Sequence, residues 1–508
     1  MAFSALRKCL GLVALSLATT LMPVSGQEIL RVPLVIDIGS FDPDNGFEIG
    51  AMSAINNVYE GLVEYKPGST TITGLLASSW DISDDGLTYV FHLVDGVKFH
   101  DGAPLDAAAV VRSLERRRDG DLILSYFFGN VAAIEALDAA TVAITLEHAQ
   151  PSFLDGLASA WGAKIISPKA LAEHDGGDQA TTWLNEHAVG TGPFMLTEFR
   201  RGEGYALQRN EDYWGEKPFF DEIRMPVVPD IGQQILQLQA DEIDAVPDGY
   251  PVAQLASLPS GIEVTTAPSL TQFDLFTKPG AAMDDPEIRN AMLTAINPAL
   301  WVRDVFGEHA ELSLSLYQNA MLAPEQPVQF PTDLEAAKAT IGRHDPIQLV
   351  IGVQSEVASY ARVAELVAAQ LGMIGVNATV QVLPLGAAYA LRDDTTAPDM
   401  LLTILNPDAA HPESQAKTYF TTGAVLNFYG RSLPAADAIV EEAGLLDDVT
   451  RRNALYERAG QMYFDAGYVI PLADVDDVVV HTRGLTDLGL RPAFPQGNID
   501  FGTVRWAQ

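Results

Sequence analysis

The chain has 508 residues, too many for one hydrophobic core, so two or three domains are expected. Hydrophobic residues make up 48% and charged residues 19%, the balance of a globular chain and not of a disordered one. A formal charge of -36 repels nucleic acid and anionic lipid and sets both aside as partners.

The N-terminus reads as a processing segment. Arg7 and Lys8 form a short positive region, an apolar run extends from Leu10 to Met22, and Pro23 and the small residues Ser25 and Gly26 follow. The run is too short to span a bilayer and fits a secretory signal, residues 1–26, cleaved near Gly26. A buried N-terminal helix is the weaker alternative, since the run has no amphipathic face. Cys9 is the only cysteine, and Arg7 and Lys8 stand where a lipoprotein signal needs small residues. The mature chain would have no thiol, which suits a soluble periplasmic protein that does not rely on disulfides. Losing Arg7 and Lys8 takes the charge from -36 to -38.

Leu30 to Ile38 reads as a strand, closed by the turn cluster "GSFDPDNG". Residues 82–102 alternate apolar and polar side chains on both sides of Asp95-Gly96, which predicts a β-hairpin turning there. "PLDAAAVVRSLERRR" is helical, with Asp106 as N-cap and Val110, Val111 and Leu114 on one face. A second hairpin spans 192–210, turning through Gly202 and Gly204, and "IGQQILQLQADEIDAV" runs from a helix into a short strand at 243–246. Later, "IQLVIGV", "VASYARVAELVAAQLGMIG" and "VNATVQVLPL" give strand, helix and strand within about forty residues, a βαβ unit with a parallel pair. The fold class is α/β, with antiparallel hairpins in the first half.

Several constellations dissolve on inspection. Across a turn at Asp95-Gly96, His92 and His100 fall on opposite sides of the ribbon, so they form no metal pair. "GTGP" at 190–193 lacks the third glycine of a phosphate loop, and Pro193 removes a backbone N–H, so a tight turn is preferred. Arg116, Arg117 and Arg118 close a helix, where cations offset the macrodipole, and read as a solvated helix end. No nucleophile elbow, zinc-protease motif or distinguishable carboxylate pair is present, so no catalytic residue, cofactor or metal ligand is assigned.

Four segments occur in an order that carries more information than any one of them. "INNVYEGLVEY" (55–65), "LASSWDISDDGLTYVFHLVDGVKFHDGAPLDAAAVVRSLER" (76–116), "VGTGPFMLTEFRRGEGYALQRNEDYW" (189–214) and "ILQLQADEIDAV" (235–246) resemble the family-5 extracellular solute-binding proteins. These serve ATP-driven importers of peptides, nickel chelates, opines and some oligosaccharides. The resemblance runs from about residue 30 to the C-terminus.

It implies a two-lobed periplasmic binding protein-like clamshell. The first lobe would combine 27–266 with 483–508 and carry an extra subdomain at 66–185; the second would span 267–482. Ligand between the lobes would stabilise the closed state, which an importer distinguishes from the empty one.

The resemblance also implies ligand-binding residues. In peptide binders of the family, the first Asp of Asp-x-x-[Asp/Glu]-Pro meets the ligand's α-ammonium. Asp408-Ala409-Ala410-His411-Pro412 keeps that spacing, with His411 replacing the acid. A buried carboxylate needs such a partner; alternatively Asp408 caps a turn or the helix after Pro412. His411 reads as a hydrogen-bonded loop residue, with a nickel chelate as the minority alternative. Leu405 stands where aromatics are frequent in the family, a departure from a standard dipeptide pocket. Arg362 falls near the arginine that meets the ligand carboxylate in some peptide binders, or else pairs with Glu365 on the surface. Asn427, Tyr429, Gln272, Phe273 and Phe41 complete the set, with packing as the alternative for the aromatics.

The expectation is a monomeric periplasmic receptor without catalysis. It would capture an oligopeptide or peptide-like amino compound and deliver it to an inner-membrane ABC permease with its ATPase. A receptor for a nickel chelate, opine or oligosaccharide is the alternative on the same fold. A secreted hydrolase and a chemosensory or chaperone-like receptor are the alternatives of other classes.

Overall fold

The computed structural model describes residues 28–280, 282–354, 358–384 and 386–507. The secretory signal read at 1–26 lies outside the described residues.

Two antiparallel strands, Ile262–Thr277 and Val469–Thr482, are the spine of the molecule. The first has 16 residues and at about 3.3 Å per residue reaches roughly 50 Å, enough to leave one core and enter another. Leu270 and Val479 pack in a first hydrophobic core, Phe273 and Leu275 in a second, and Phe276 in a third. The pairing slips between Ala267 and Thr271, beside the point where the strand passes between cores. The result is two lobes joined by continuous β-structure.

In the second lobe the sheet extends from the spine through Met400–Leu405 and Gln348–Gln354 to Asn377–Leu383. The last two strands are parallel and joined by the helix Ala358–Met373, the βαβ unit expected from the sequence. Val363, Val367 and Leu371 of that helix bury against Ile351 and Val353, which recur at strand spacing on one sheet face.

The first lobe contains two further sheets. Ile29–Arg31 runs parallel to Glu222–Pro226, followed by the hairpin Gly204–Arg209 and Phe194–Arg200, which turns where expected, with Gly202 at φ 77°. The first strand is shorter than the run from Leu30 to Ile38 and continues only as a bridge from Leu34 to Val227. The second sheet, in the order Ala77–Ile82, Thr88–Leu93, Thr141–Leu146, Val131–Asp138, is antiparallel throughout. The helix Ala107–Asp119 packs in the same core, with Asp106 Oδ1 accepting the Ala109 N–H at 2.8 Å.

The hairpin expected across Asp95-Gly96 does not form. Thr88–Leu93 pairs with the upstream strand Ala77–Ile82, and the chain reverses at Ser83–Gly86, where Gly86 takes φ 70°. The sequence offers Asp-Gly at 85–86 and again at 95–96, and alternation continues past both. Only the upstream run completes the sheet. His92 consequently meets Asp81 at 3.0 Å on the surface, while His100 Nε2 meets the Gly192 carbonyl at 3.0 Å.

Candidate functional site

The strand Met400–Leu405 ends at the junction of the lobes. The loop 406–411 follows, and the helix Pro412–Tyr419 begins where Pro412 fixes the first turn. Asp408 lies buried on this loop, and its Oδ2 accepts the Tyr126 hydroxyl at 2.7 Å and the Thr418 hydroxyl at 3.3 Å. Among the described residues, no donor reaches Oδ1 and no cationic side chain pairs with the carboxylate. Burial, opposed by the two hydroxyl bonds, holds the Asp408 carboxyl above its ordinary range.

Tyr126 belongs to the other lobe, and three more first-lobe residues meet this loop and the helix after it. The Ala410 N–H donates to the Tyr65 hydroxyl at 3.0 Å, the Ser159 hydroxyl donates to the Asp408 carbonyl, and the Ser152 hydroxyl donates to Glu413. Asp408 thus sits on a seam stitched by neutral donors.

The first-lobe wall of the seam is braced by buried charges. Arg116 bridges Asp42 and Asp44, with Nη2 at 2.6 Å from Asp42. Arg117 donates to Asp44 Oδ1 at 2.6 Å and to the carbonyls of Trp161 and Pro43 at 2.7 Å. The Leu124 N–H then donates to the Asp44 carbonyl at 3.1 Å. This network ties the turn at 42–47 to the segment Ile123–Phe128 that presents Tyr126, itself 53% exposed. Phe47, at the end of the same turn, stacks on Trp161 with ring centroids 5.7 Å apart. The arginines read as a solvated helix end are therefore mostly buried: Arg116 is 5% and Arg117 0% exposed, and only Arg118, paired with Asp119, meets solvent. Their partners lie more than 70 residues upstream, in the "GSFDPDNG" turn.

His411 stands close to Asp408 in the chain but points elsewhere. Its Nδ1 accepts the Glu413 N–H at 3.2 Å, capping the helix, which places the ring proton on Nε2. The ring meets Tyr456 edge-on at 5.9 Å, and burial pushes its pKa down to about 4, so it is neutral at physiological pH. Among the described residues, no group of three or more His, Cys, Asp or Glu is placed to hold a metal ion.

The other candidates are not gathered around Asp408. The Arg362 side chain is 65% exposed and pairs with Glu365 at 3.6 Å. Asn427 braces a turn, donating to the Thr421 and Arg431 carbonyls at 3.1 and 2.8 Å. The Tyr429 hydroxyl donates to the Pro398 carbonyl at 2.9 Å. Phe273 packs against Phe306 and Tyr360, and Phe41 against Phe199 and Tyr205. Gln272 donates to the Ser315 carbonyl and to Asp474. Sequence reasoning missed Tyr126, Tyr65, Ser152 and Ser159. Each is an unremarkable residue in an apolar or turn segment, and no local spacing marks it.

Two lobes joined by a β-spine, with a buried carboxylate on the loop at their junction, define a two-lobed periplasmic binding-protein fold. The chain belongs to the bacterial extracellular solute-binding proteins, family 5, whose middle region matches residues 71–427. It is 28% identical over 469 residues to di/tripeptide-binding protein 2 of Pseudomonas aeruginosa, covering 85% of this chain and 87% of that protein. The periplasmic binding protein DppA from Helicobacter pylori, solved with the peptide STSA, superposes with a TM-score of 0.80 at 25% identity, covering 95% of this chain and 98% of that one. NikZ from Campylobacter jejuni, solved with Ni(L-His), gives a TM-score of 0.80 at 20% identity, covering 94% and 98%; that likeness is one of fold. Proteins of this family are the substrate-binding components of ABC importers, and this chain is one of them.

Proposed function

We propose that the protein captures a short peptide or peptide-like amino compound in the periplasm and delivers it to an inner-membrane ABC permease. Asp408 is the group that meets the ligand's ammonium. The observation that carries this reading is a buried carboxylate at the lobe junction that, among the described residues, is held by two hydroxyl donors and no cation. A cationic group there would supply the opposite charge that burial demands, with Tyr126 released from Asp408 as it binds. The peptide-binding relative supports the same cargo class. The protein acts as a monomer and performs no catalytic step.

The signal is cleaved near Gly26. The lobes are 27–266 with 483–508, and 267–482, with the inserted subdomain at 66–185. The hydrophobic cores run close to these limits without matching them: the first draws on Leu30 to Leu270 and Val479 to Val504, so Leu270 and Val479 pack in it from just past the limits, and the other two draw on Phe273 to Val475. Ligand bridging the seam favours the closed arrangement, by its differential affinity for the two states. The test is mass spectrometry of what co-purifies with the mature protein, followed by thermal-shift screening of dipeptides, tripeptides, opines and metal chelates. A bound amino compound that raises the melting temperature supports the reading through linkage. Stabilisation by metal chelates alone contradicts it.

A further inference from the structure

A second polar site lies inside the second lobe, behind the loop that carries Asp408. Seven side-chain atoms of five residues there are buried without a hydrogen-bond partner among the described residues. They are both oxygens of Asp274, both amide atoms of Gln318, Oε1 of Gln272 and of Gln415, and the Tyr317 hydroxyl. Orphaned polar atoms in such number are unusual, because a buried group without a partner forfeits its hydration.

The five converge. Gln272 and Asp274 are two apart on the strand Ile262–Thr277 and share its face with Phe276. Phe276 packs in the third core with Leu316, Tyr317 and Ala416. Gln272 Nε2 donates to the Ser315 carbonyl at 3.1 Å, while Gln415 Nε2, from the helix Pro412–Tyr419, reaches the adjacent Leu316 carbonyl at 3.5 Å. Strand and helix thus grip neighbouring carbonyls of one segment, and Tyr317 and Gln318 are its next residues. Toward the ligand loop the same layer continues through Tyr456, 6.0 Å from the Tyr317 ring, to His411.

The chemistry of the orphans selects the occupant. Among the described residues no cationic side chain pairs with Asp274, and its acidic neighbour Asp474 is already satisfied by Ser313, Gln272 and the Asn319 N–H. Burial, reinforced by Asp474, holds the Asp274 carboxyl well above its ordinary range. The unmet set contains donors, on Gln318 and Tyr317, as well as acceptors. A metal ion takes acceptors only and leaves the donors orphaned; water serves both.

We propose that the second lobe binds an ordered water cluster between the strand Ile262–Thr277 and the helix Pro412–Tyr419, joining Asp274, Gln318 and Gln415. With about three hydrogen bonds per buried water, two or three waters satisfy the set. The strand is a crossing between the lobes and the helix follows Asp408 directly. The cluster therefore links the hinge to the ligand loop whatever the cargo is.

The test is a crystal structure of the mature protein at a resolution that shows ordered water, together with the melting temperature of Gln318→Met. Discrete water density within hydrogen-bond distance of both Asp274 and Gln318, and a lower melting temperature for the variant, are the expected results. A dry or metal-filled site, or a variant that melts at the same or a higher temperature, overturns the proposal, since replacing an orphaned amide in a dry core is stabilising. If Gln318→Met fails to fold, the wild-type density decides.

Discussion

The Tyr126 hydroxyl of the first lobe donates to Asp408 Oδ2 of the second at 2.7 Å. A neutral donor thus occupies the carboxylate that the proposed function gives to a ligand cation. Closure around ligand then exchanges one donor for another at the same oxygen. The Ser159 and Tyr65 contacts to the loop backbone need not break.

Tyr126→Phe removes that competing hydroxyl while keeping the ring, which packs 4.6 Å from Phe127. Binding of an amino ligand should tighten by about 0.5–1.5 kcal/mol, the net worth of a neutral hydrogen bond. Isothermal calorimetry on both proteins measures it. Weakened binding would show that Tyr126 binds with the ligand and not against it.

Arg116→Met leaves Asp42 and Asp44 buried with one guanidinium fewer. Breaking a buried ion pair from one side should cost about 3–5 kcal/mol of stability. Adding Asp42→Asn to the variant should recover part of the loss, because contacting residues are not additive. Chemical denaturation of the wild type, the single and the double variant measures both effects. A loss no larger than that of an exposed substitution would refute the buried network.

Arg362→Ala should change neither stability nor ligand affinity by more than about 0.5 kcal/mol, since its pair with Glu365 is exposed. A large drop in affinity, read by the same calorimetry, would return Arg362 to the ligand site.

Asp155 accepts the Tyr65 hydroxyl at 2.9 Å, and burial pushes its pKa up from 3.8 to about 7. The folded state therefore holds a proton that the unfolded chain releases. Its contribution to stability is fully present below the unfolded pKa and is lost as pH rises toward the folded value. Relative to Asp155→Asn, the wild type should lose melting temperature progressively from about pH 4 to pH 7 and then level off. A pH-independent difference between the two would contradict this.

What the sequence makes legible follows from range. The βαβ unit announces itself through a buried-strand run, helical periodicity and a second strand, all local patterns. The Asp106 cap and the turn at Gly202 are local too. The hairpin at 83–86 was misplaced because both Asp-Gly pairs satisfy the same turn chemistry, and only the upstream strand decides between them. Arg116 and Arg117 look like a helix-end charge run because their acidic partners are remote in the chain. The family resemblance, through the spacing of Asp408 from Pro412, points to the loop at the junction. Tyr126 could not be found that way, since an aromatic residue in "ILSYFF" has no signature until the lobes bring it to Asp408.

Whether Asp408 meets a ligand cation is read by calorimetric titration of wild type and Asp408→Asn with the amino ligand found by screening. A desolvated pair should lose about 2–5 kcal/mol of binding free energy in the variant, with the protein still folded. Equal affinity in the two proteins would contradict it.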